Sequence, residues 1–390
     1  MKLAKRVGKL SASPTMAVAE EAKRLRDKGR QVIDFSIGEP DFNTPDNIKG
    51  QGHQAIDENF TRYTAAAGIK DLREAVVQKY HSQYGVNYVL PEVVVSCGAK
   101  HTLFNLAFVL FEEGDEVLLP VPYWVTFPEQ LKMVGAIPVE VMTEERDDFI
   151  LKAAALESQI TSKTKAIVIN TPNNPTGAVI PKEELGKIVD LAVDRKLLII
   201  FDECYEYFLF DGKVHTSLAQ YAGQAKHLSV LVNTASKTYA MTGWRIGYLV
   251  APREIANAVS NVQSHSANPT SVSQKAALES ITGDQDSVRA MITEYELRRQ
   301  YVIDRLNSIS GLSCANPGGA FYAFPNVSSY FHGEIKDSVE FSKWLLRQAG
   351  VAVVPGKAFG KEGYVRISFA TSMKSLAKGM DLIEGALAKI

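Results

Sequence analysis

Five short runs in this chain are apolar with almost no alternation: Val93-Val94-Val95, Glu116-Val117-Leu118-Leu119, Ala166-Ile167-Val168-Ile169, Leu197-Leu198-Ile199-Ile200-Phe201 and Leu228 to Val232. A strand with one face in water alternates apolar and polar side chains. Runs that do not alternate need cover on both faces, as in a mostly parallel sheet flanked by helices. The stretches between them fit that reading. Lys182 to Asp194 carries Leu185, Ile188, Val189, Leu191 and Ala192 at helical spacing and follows Pro181, a favoured first-turn residue. The C-terminal part has another rhythm: Ser287 to Ser308 and Ser338 to Gly350 read as helices, Gly319 to Phe324 and Val365 to Phe369 as short strands. The expected fold is therefore α/β, a mostly parallel central sheet with flanking helices, plus a smaller α+β domain. A chain of 390 residues has room for both. The division expected is 46–281 for the large domain, with 1–45 and 282–390 forming the small one from both chain ends.

Charge and cysteine content exclude several function classes. Lys plus Arg total 43 against 44 Asp plus Glu, a net charge of -1, which provides no long-range field for nucleic acid or an anionic membrane. Small-molecule partners fit better. Three cysteines, Cys97, Cys204 and Cys314, without paired spacing argue against a disulfide framework and a structural zinc site, so a reducing, cytoplasmic location is expected. The apolar stretch His101 to Phe111 is far shorter than the roughly 20 residues of a membrane span. Lys2, Lys5, Arg6 and Lys9 precede Ala17-Val18-Ala19 in the manner of an export signal, but the segment between is too short and polar, and Ala17 to Arg26 reads as an amphipathic helix.

In an open α/β sheet, ligands sit beyond the carboxyl ends of the strands. The loops there are polar: Ser96-Cys97-Gly98-Ala99-Lys100, Asn170 to Gly177, Asp202-Glu203-Cys204-Tyr205 and Thr234-Ala235-Ser236-Lys237. Small Gly98 and Ala99 at a strand-to-helix turn let backbone N–H groups approach an anion such as phosphate. Lys237, with Arg245 eight residues on, has the pattern of an amine whose pKa is lowered so that it attacks an aldehyde. Each feature also has a plain alternative: a solvated lysine, a helix cap for Asp202, a core phenol for Tyr205, a rigid turn at Asn174. Together they supply what an aldehyde-bearing pyridine phosphate needs. Lys237 offers the amine, Asp202 a carboxylate for the ring nitrogen, Tyr205 and Asn174 hydrogen bonds to the ring oxygen, and the Ser96–Lys100 turn with Arg245 an anion cradle. No ligand spacing calls for a metal.

Asn174-Pro175-Thr176-Gly177, Asp202-x-x-Tyr205, Ser236-Lys237 and Arg245-x-Gly247, in that order, resemble the class I aminotransferases of pyridoxal-phosphate fold type I. Gly38-Glu39-Pro40-Asp41-Phe42, Tyr63 with Gly68, Pro122-Tyr123-Trp124 and Val365-Arg366-Ile367-Ser368 are similar to the bacterial-type aspartate aminotransferases, and the resemblance runs from about Arg6 to the C-terminus. It implies pyridoxal 5'-phosphate as cofactor and Lys237 as the catalytic lysine, which forms the Schiff base and, once released, moves the proton. Asp202 would pair with the pyridinium nitrogen, with Asn174 and Tyr205 on the ring oxygen. Gly98, Ala99, Lys100, Thr234, Ser236 and Arg245 would surround the phosphate, Trp124 would stack on the ring, and Tyr63 would reach the phosphate of a neighbouring subunit in a homodimer with shared active sites. Gly38, Trp124, Asn174 and Arg366 would bind the substrate, Arg366 by its α-carboxylate, and Lys100 would meet a distal carboxylate. The reaction implied is amino-group transfer between an L-amino acid, aspartate by preference, and 2-oxoglutarate by a ping-pong mechanism. The alternatives are a transferase for aromatic or other neutral amino acids, or a β-elimination lyase on the same scaffold. Ser11 stands where the prephenate-accepting subgroup has a lysine, with Lys9 out of register, which speaks against prephenate.

Overall fold

The computed structural model describes residues 4, 7, 8, 10 and 14–390. Lys9 and Ser11 lie outside the described residues. The strands, in chain order, are β1 (Ile33–Asp34), β2 (Val93–Ser96), β3 (Glu116–Val121), β4 (Ile137–Met142), β5 (Thr164–Asn170), β6 (Leu198–Asp202), β7 (Ser229–Thr234), β8 (Gly247–Val250), β9 (Tyr322–Ala323), β10 (Val351–Ala352), β11 (Val354–Pro355) and β12 (Val365–Ser368). Seven of them form one sheet in the order β2-β8-β7-β6-β5-β3-β4. Its ladders are parallel except those that β8 makes with β2 and β7.

The apolar runs are buried on both faces. Ile167, Ile199, Phe201 and Leu231 pack into one apolar cluster, while their neighbours Val168, Ile200, Val230 and Val232 pack into another. This is the two-residue period of a strand with helices on either side, and each such side chain contributes about 1.5–3 kcal/mol of burial. Helix Lys182–Arg195 turns Leu185, Ile188, Val189 and Ala192 inward, as its spacing predicts.

Two strands of the large sheet have no counterpart in the apolar-run reading. β4 lies at the edge, with Ile137 and Met142 45% and 47% exposed and Val141 buried, so its composition is mixed and Pro138 is tolerated. β8 is four residues long and starts at Gly247 because the backbone of Gly98 and Ala99 runs against it; any side chain there would overlap that turn.

The chain ends meet. Ile33 and Asp34 pair in parallel with Val351 and Ala352, and Ser368 N donates to Phe35 O at 2.9 Å. Antiparallel β11, β12 and β9 form a further sheet. Of the Gly319–Phe324 run only Tyr322–Ala323 is strand. Gly319 and Ala320 instead donate backbone hydrogen bonds to Gly177 O and Phe208 O, which ties the segment to the loops beside β5 and β6. Helix Asp286–Ser308 carries two buried arginines that hold other segments: Arg298 grips Asp41, at 2.8 and 2.9 Å to its two oxygens, and Arg299 grips Asp211. Among the described residues no helix is long and apolar enough to cross a membrane.

Candidate active site

The parallel strands β5, β6 and β7 end at Asn170, Asp202 and Thr234, and a cleft of about 520 Å³ opens beyond them. It is lined by Ala99, Lys100, Trp124, Asn174, Asp202, Tyr205, Thr234, Ser236, Lys237 and Arg245, together with Gly38 and Arg366 from the two chain ends. These residues come from distant parts of the chain and meet because the strands end side by side.

Asp202 is 4% exposed, and its Oδ1 accepts the Cys204 amide at 3.0 Å. Burial raises its pKa to about 6, against the pull of the hydrogen bonds from Cys204. A carboxylate in that state gains from a nearby cation. Lys237 Nζ donates to Gly38 O at 2.6 Å and lies 6.0 Å from the centre of the Tyr205 ring. Burial lowers its pKa to about 8, and the cationic Arg366 and Arg245 act in the same direction. A sizeable fraction of the amine is thus neutral and nucleophilic near pH 8.

An anion cradle forms one wall. Helix Ala99–Leu110 starts after Gly98, whose φ is 86°, and its first two residues, Ala99 and Lys100, line the cleft, where a helix N-terminus favours an anion. Gly98 is not itself in the lining; it allows close approach, since a β-carbon there would overlap the Arg245 guanidinium. Arg245 is held by Thr242 O at 2.8 Å and Cys97 O at 3.1 Å. Thr234 Oγ1 and Ser236 Oγ are 2.8 Å apart beside it. Lys100 Nζ sits 5.3 Å from the Trp124 ring, its pKa lowered by burial and then by Arg245.

Arg366 of β12 also lines the cleft and is 3% exposed. Its Nη1 donates to Asn174 Oδ1 at 3.0 Å and its Nη2 to Ser36 O at 2.7 Å, while Nε is buried without a partner. No acidic side chain pairs with it among the described residues. A buried guanidinium with spare donors and no counter-ion among the described residues has the chemistry to take a carboxylate. The segment over the cleft is anchored by Asp41 on Arg298 and by Thr242 Oγ1, which donates to Glu39 Oε2 at 2.7 Å.

Of the residues expected from the sequence, Gly98 and Tyr63 do not line the cleft, and Tyr63 is 95% exposed. Sequence reasoning missed Tyr322, Cys204, Asn170 and Thr242, which also line the cleft. For Tyr322 the signal was the strand period: Ser368 pairs with Tyr322, so Arg366, two residues from Ser368, shares its face. Behind the sheet end lies a further unforeseen group, Glu203, Glu206 and His215. Glu206 is paired with Lys79, and Glu203 with His215 and Tyr80, so protein partners engage its carboxylates.

The site therefore combines a partly neutral amine, a carboxylate short of a cation, an anion cradle and a second anion receptor. That set matches a phosphorylated pyridine aldehyde and the carboxylate of an amino acid, which is the fit the sequence implies.

Comparison with known proteins agrees. The family model "Aminotransferase class I and II" matches residues 30–383. The chain is 45% identical over 391 residues to a probable aspartate/prephenate aminotransferase of Aquifex aeolicus, covering 100% of this chain and 99% of that one. It is 42% identical to an aspartate aminotransferase of Geobacillus stearothermophilus, covering 98% of each. The solved aspartate aminotransferase from Thermus thermophilus with maleate superposes with a TM-score of 0.93 at 37% identity, over 99% of this chain and all of that one. Fold, site and near-complete matches converge: the chain belongs to the class I and II aminotransferases, with pyridoxal-phosphate fold type I, and is an aspartate aminotransferase-like transferase.

Proposed function

We propose that this enzyme uses pyridoxal 5'-phosphate to move the amino group between an L-amino acid, aspartate by preference, and 2-oxoglutarate, by a ping-pong mechanism, as a cytoplasmic homodimer. The observation that carries the reading is Arg366: a buried, forked cation without a counter-ion among the described residues, in the same cleft as the depressed amine of Lys237 and the raised carboxyl of Asp202. Lys237 would hold the cofactor and Asp202 its ring nitrogen. Asn174 and Tyr205 would meet the ring oxygen, Trp124 the ring face. Ala99, Lys100, Thr234, Ser236 and Arg245, with Gly98 behind, would take the phosphate. When bound, the cofactor supplies the carbon that carries the amino group and a ring that accepts the electron pair left at the substrate Cα.

The residues of the chain do the rest. Arg366 and the Asn174 amide orient the α-carboxylate, which turns the Cα–H bond toward Lys237. The released amine of Lys237, with a pKa near 8, is suited to take that proton and return it. The segment around Gly38 covers the cleft and limits water. Lys100, which lines the same cleft as Arg366, is the candidate for a distal carboxylate; the solved relative is a structure with maleate, itself a dicarboxylate. The exposure of Tyr63 supports its reaching the partner's site. The pairing of residues 33–34 with 351–352 supports a small domain made of 1–45 and 282–390 around a large domain of 46–281.

Initial rates with aspartate, tyrosine, kynurenine, methionine and prephenate as the varied partner test the reading. Aspartate with 2-oxoglutarate should be fastest. A neutral amino acid of equal efficiency would refute the dicarboxylate preference, and ammonia release without an acceptor would refute transfer.

A further inference from the structure

Tyr322 is given no role above, yet it touches both halves of the site. Its side chain is fully buried, and its hydroxyl lies 2.9 Å from that of Tyr205. Its ring lies under Arg366, with the guanidinium carbon 4.5 Å from the ring centre. Gly38 closes over the hydroxyl: a β-carbon there would stand 3.1 Å from Tyr322 Oη. One side chain thus meets the phenol on the cofactor side, the arginine on the carboxylate side and the segment covering both.

Counting protons gives the contact a direction. Each phenol has one O–H hydrogen. Burial raises both pKa values above the ordinary phenol range, Tyr205 strongly, so both stay protonated through neutral pH. Between two free phenols, either one donates. Once Tyr205 faces an anionic oxygen its hydrogen is committed there, and the contact remains a hydrogen bond only if Tyr322 donates. A phenol that accepts a hydrogen bond is also the better donor, because hydrogen bonds in series polarise one another.

We propose that Tyr322 is a positioning residue whose hydroxyl donates to Tyr205 and so directs the Tyr205 hydrogen to the cofactor's ring oxygen, while its ring face seats Arg366. This rests on the reading that Tyr205 bonds that oxygen. The competing account is that packing alone orients Tyr205, whose ring meets those of Phe321 at 5.4 Å and Phe208 at 6.3 Å.

Tyr322→Phe, Tyr205→Phe and the double variant, each loaded with pyridoxal 5'-phosphate, separate the two accounts when the visible absorbance is titrated with pH and kcat and KM are measured alongside. A donor to the anionic ring oxygen lowers the proton affinity of the neighbouring Lys237 nitrogen, so weakening the donor raises the titration midpoint. Tyr205→Phe should raise it. Tyr322→Phe should raise it less, by roughly 0.3–0.5 pH unit, and the double variant should match Tyr205→Phe alone. The amino-acid KM of Tyr322→Phe should stay within about threefold, since Phe keeps a ring under Arg366. A wild-type midpoint for Tyr322→Phe beside a shifted Tyr205→Phe would overturn the proposal in favour of packing. Additive shifts would overturn it too, showing that Tyr322 does not act through Tyr205. If neither single variant moves the midpoint, the Tyr205 reading fails first and takes the proposal with it.

Discussion

Arg366→Lys isolates what the planar fork contributes, because it keeps the charge and removes the geometry. In the native protein the two terminal nitrogens of Arg366 already serve Asn174 Oδ1 at 3.0 Å and Ser36 O at 2.7 Å, and the group still has donors for a carboxylate. A lysine ammonium has three donors on a single nitrogen and cannot span these two acceptors and a two-oxygen ligand at once. In the complex at least one charge-assisted hydrogen bond is lost, worth about 1.5–3 kcal/mol. At about 1.4 kcal/mol per factor of ten, kcat/KM should fall roughly 10- to 150-fold for aspartate and 2-oxoglutarate alike. The free protein is affected as well, since Ser36 is fully buried and Asn174 is 5% exposed. An acceptor left without a donor there costs about 1–3 kcal/mol of stability. Steady-state kinetics of both half-reactions, thermal melts and a control amine lacking the α-carboxylate form the assay. The control should react at the wild-type rate in the variant. A loss under threefold for aspartate, or an equal loss for the control, would refute the assignment of Arg366 to the α-carboxylate.

Burial holds the Lys237 pKa at about 8, and the neutral amine is the nucleophile. Capture of pyridoxal 5'-phosphate by the apoprotein should therefore speed up about tenfold per pH unit below 8 and level off above it; a rise continuing to pH 10 would contradict the depressed pKa. The sign for stability follows: between 8 and the ordinary 10.5 the unfolded chain binds more protons than the folded one at this site, so the apoprotein should gain stability as pH rises through that window. Asp202→Asn removes the carboxylate that would keep a ring nitrogen protonated; kcat should drop about 100-fold or more with cofactor retained, and activity within tenfold of wild type would refute the role. Lys100→Ala should reduce kcat/KM for aspartate more than for phenylalanine, and equal losses would exclude Lys100 as the discriminator. Gly98→Ala places a methyl on the Arg245 guanidinium at a backbone φ of 86°, so the apoprotein's Kd for pyridoxal 5'-phosphate should rise at least about tenfold; an unchanged Kd would mean that the cradle does not depend on that close approach.

Much of this protein is legible in the chain itself, because the information is local. Near-continuous apolar runs dictate strands buried on both faces, and the polar loops after them mark where a parallel sheet offers its ligands. Lys237 and the Gly98 turn lie in such loops, Asp202 at the end of its strand, and all three could be assigned chemistry from residue type and place in the strand-loop-helix order. β4 escaped because it is a half-exposed edge of mixed composition, and β8 because, although buried at every position, it is only four residues long and begins with a glycine.

What only the tertiary structure decided concerns pairs far apart in the chain. The 2.6 Å bond from Lys237 to Gly38 O, the Asp41 grip by Arg298 and the Tyr205–Tyr322 contact span 199, 257 and 117 residues. No periodicity encodes such distances; they follow from how the chain ends fold back over the strand ends. The pKa values behave the same way. An isolated lysine or aspartate has its ordinary affinity for protons. The burial that brings Lys237 to about 8 and Asp202 to about 6 arises only when the sheet, the covering segment and β12 exclude water from one cleft.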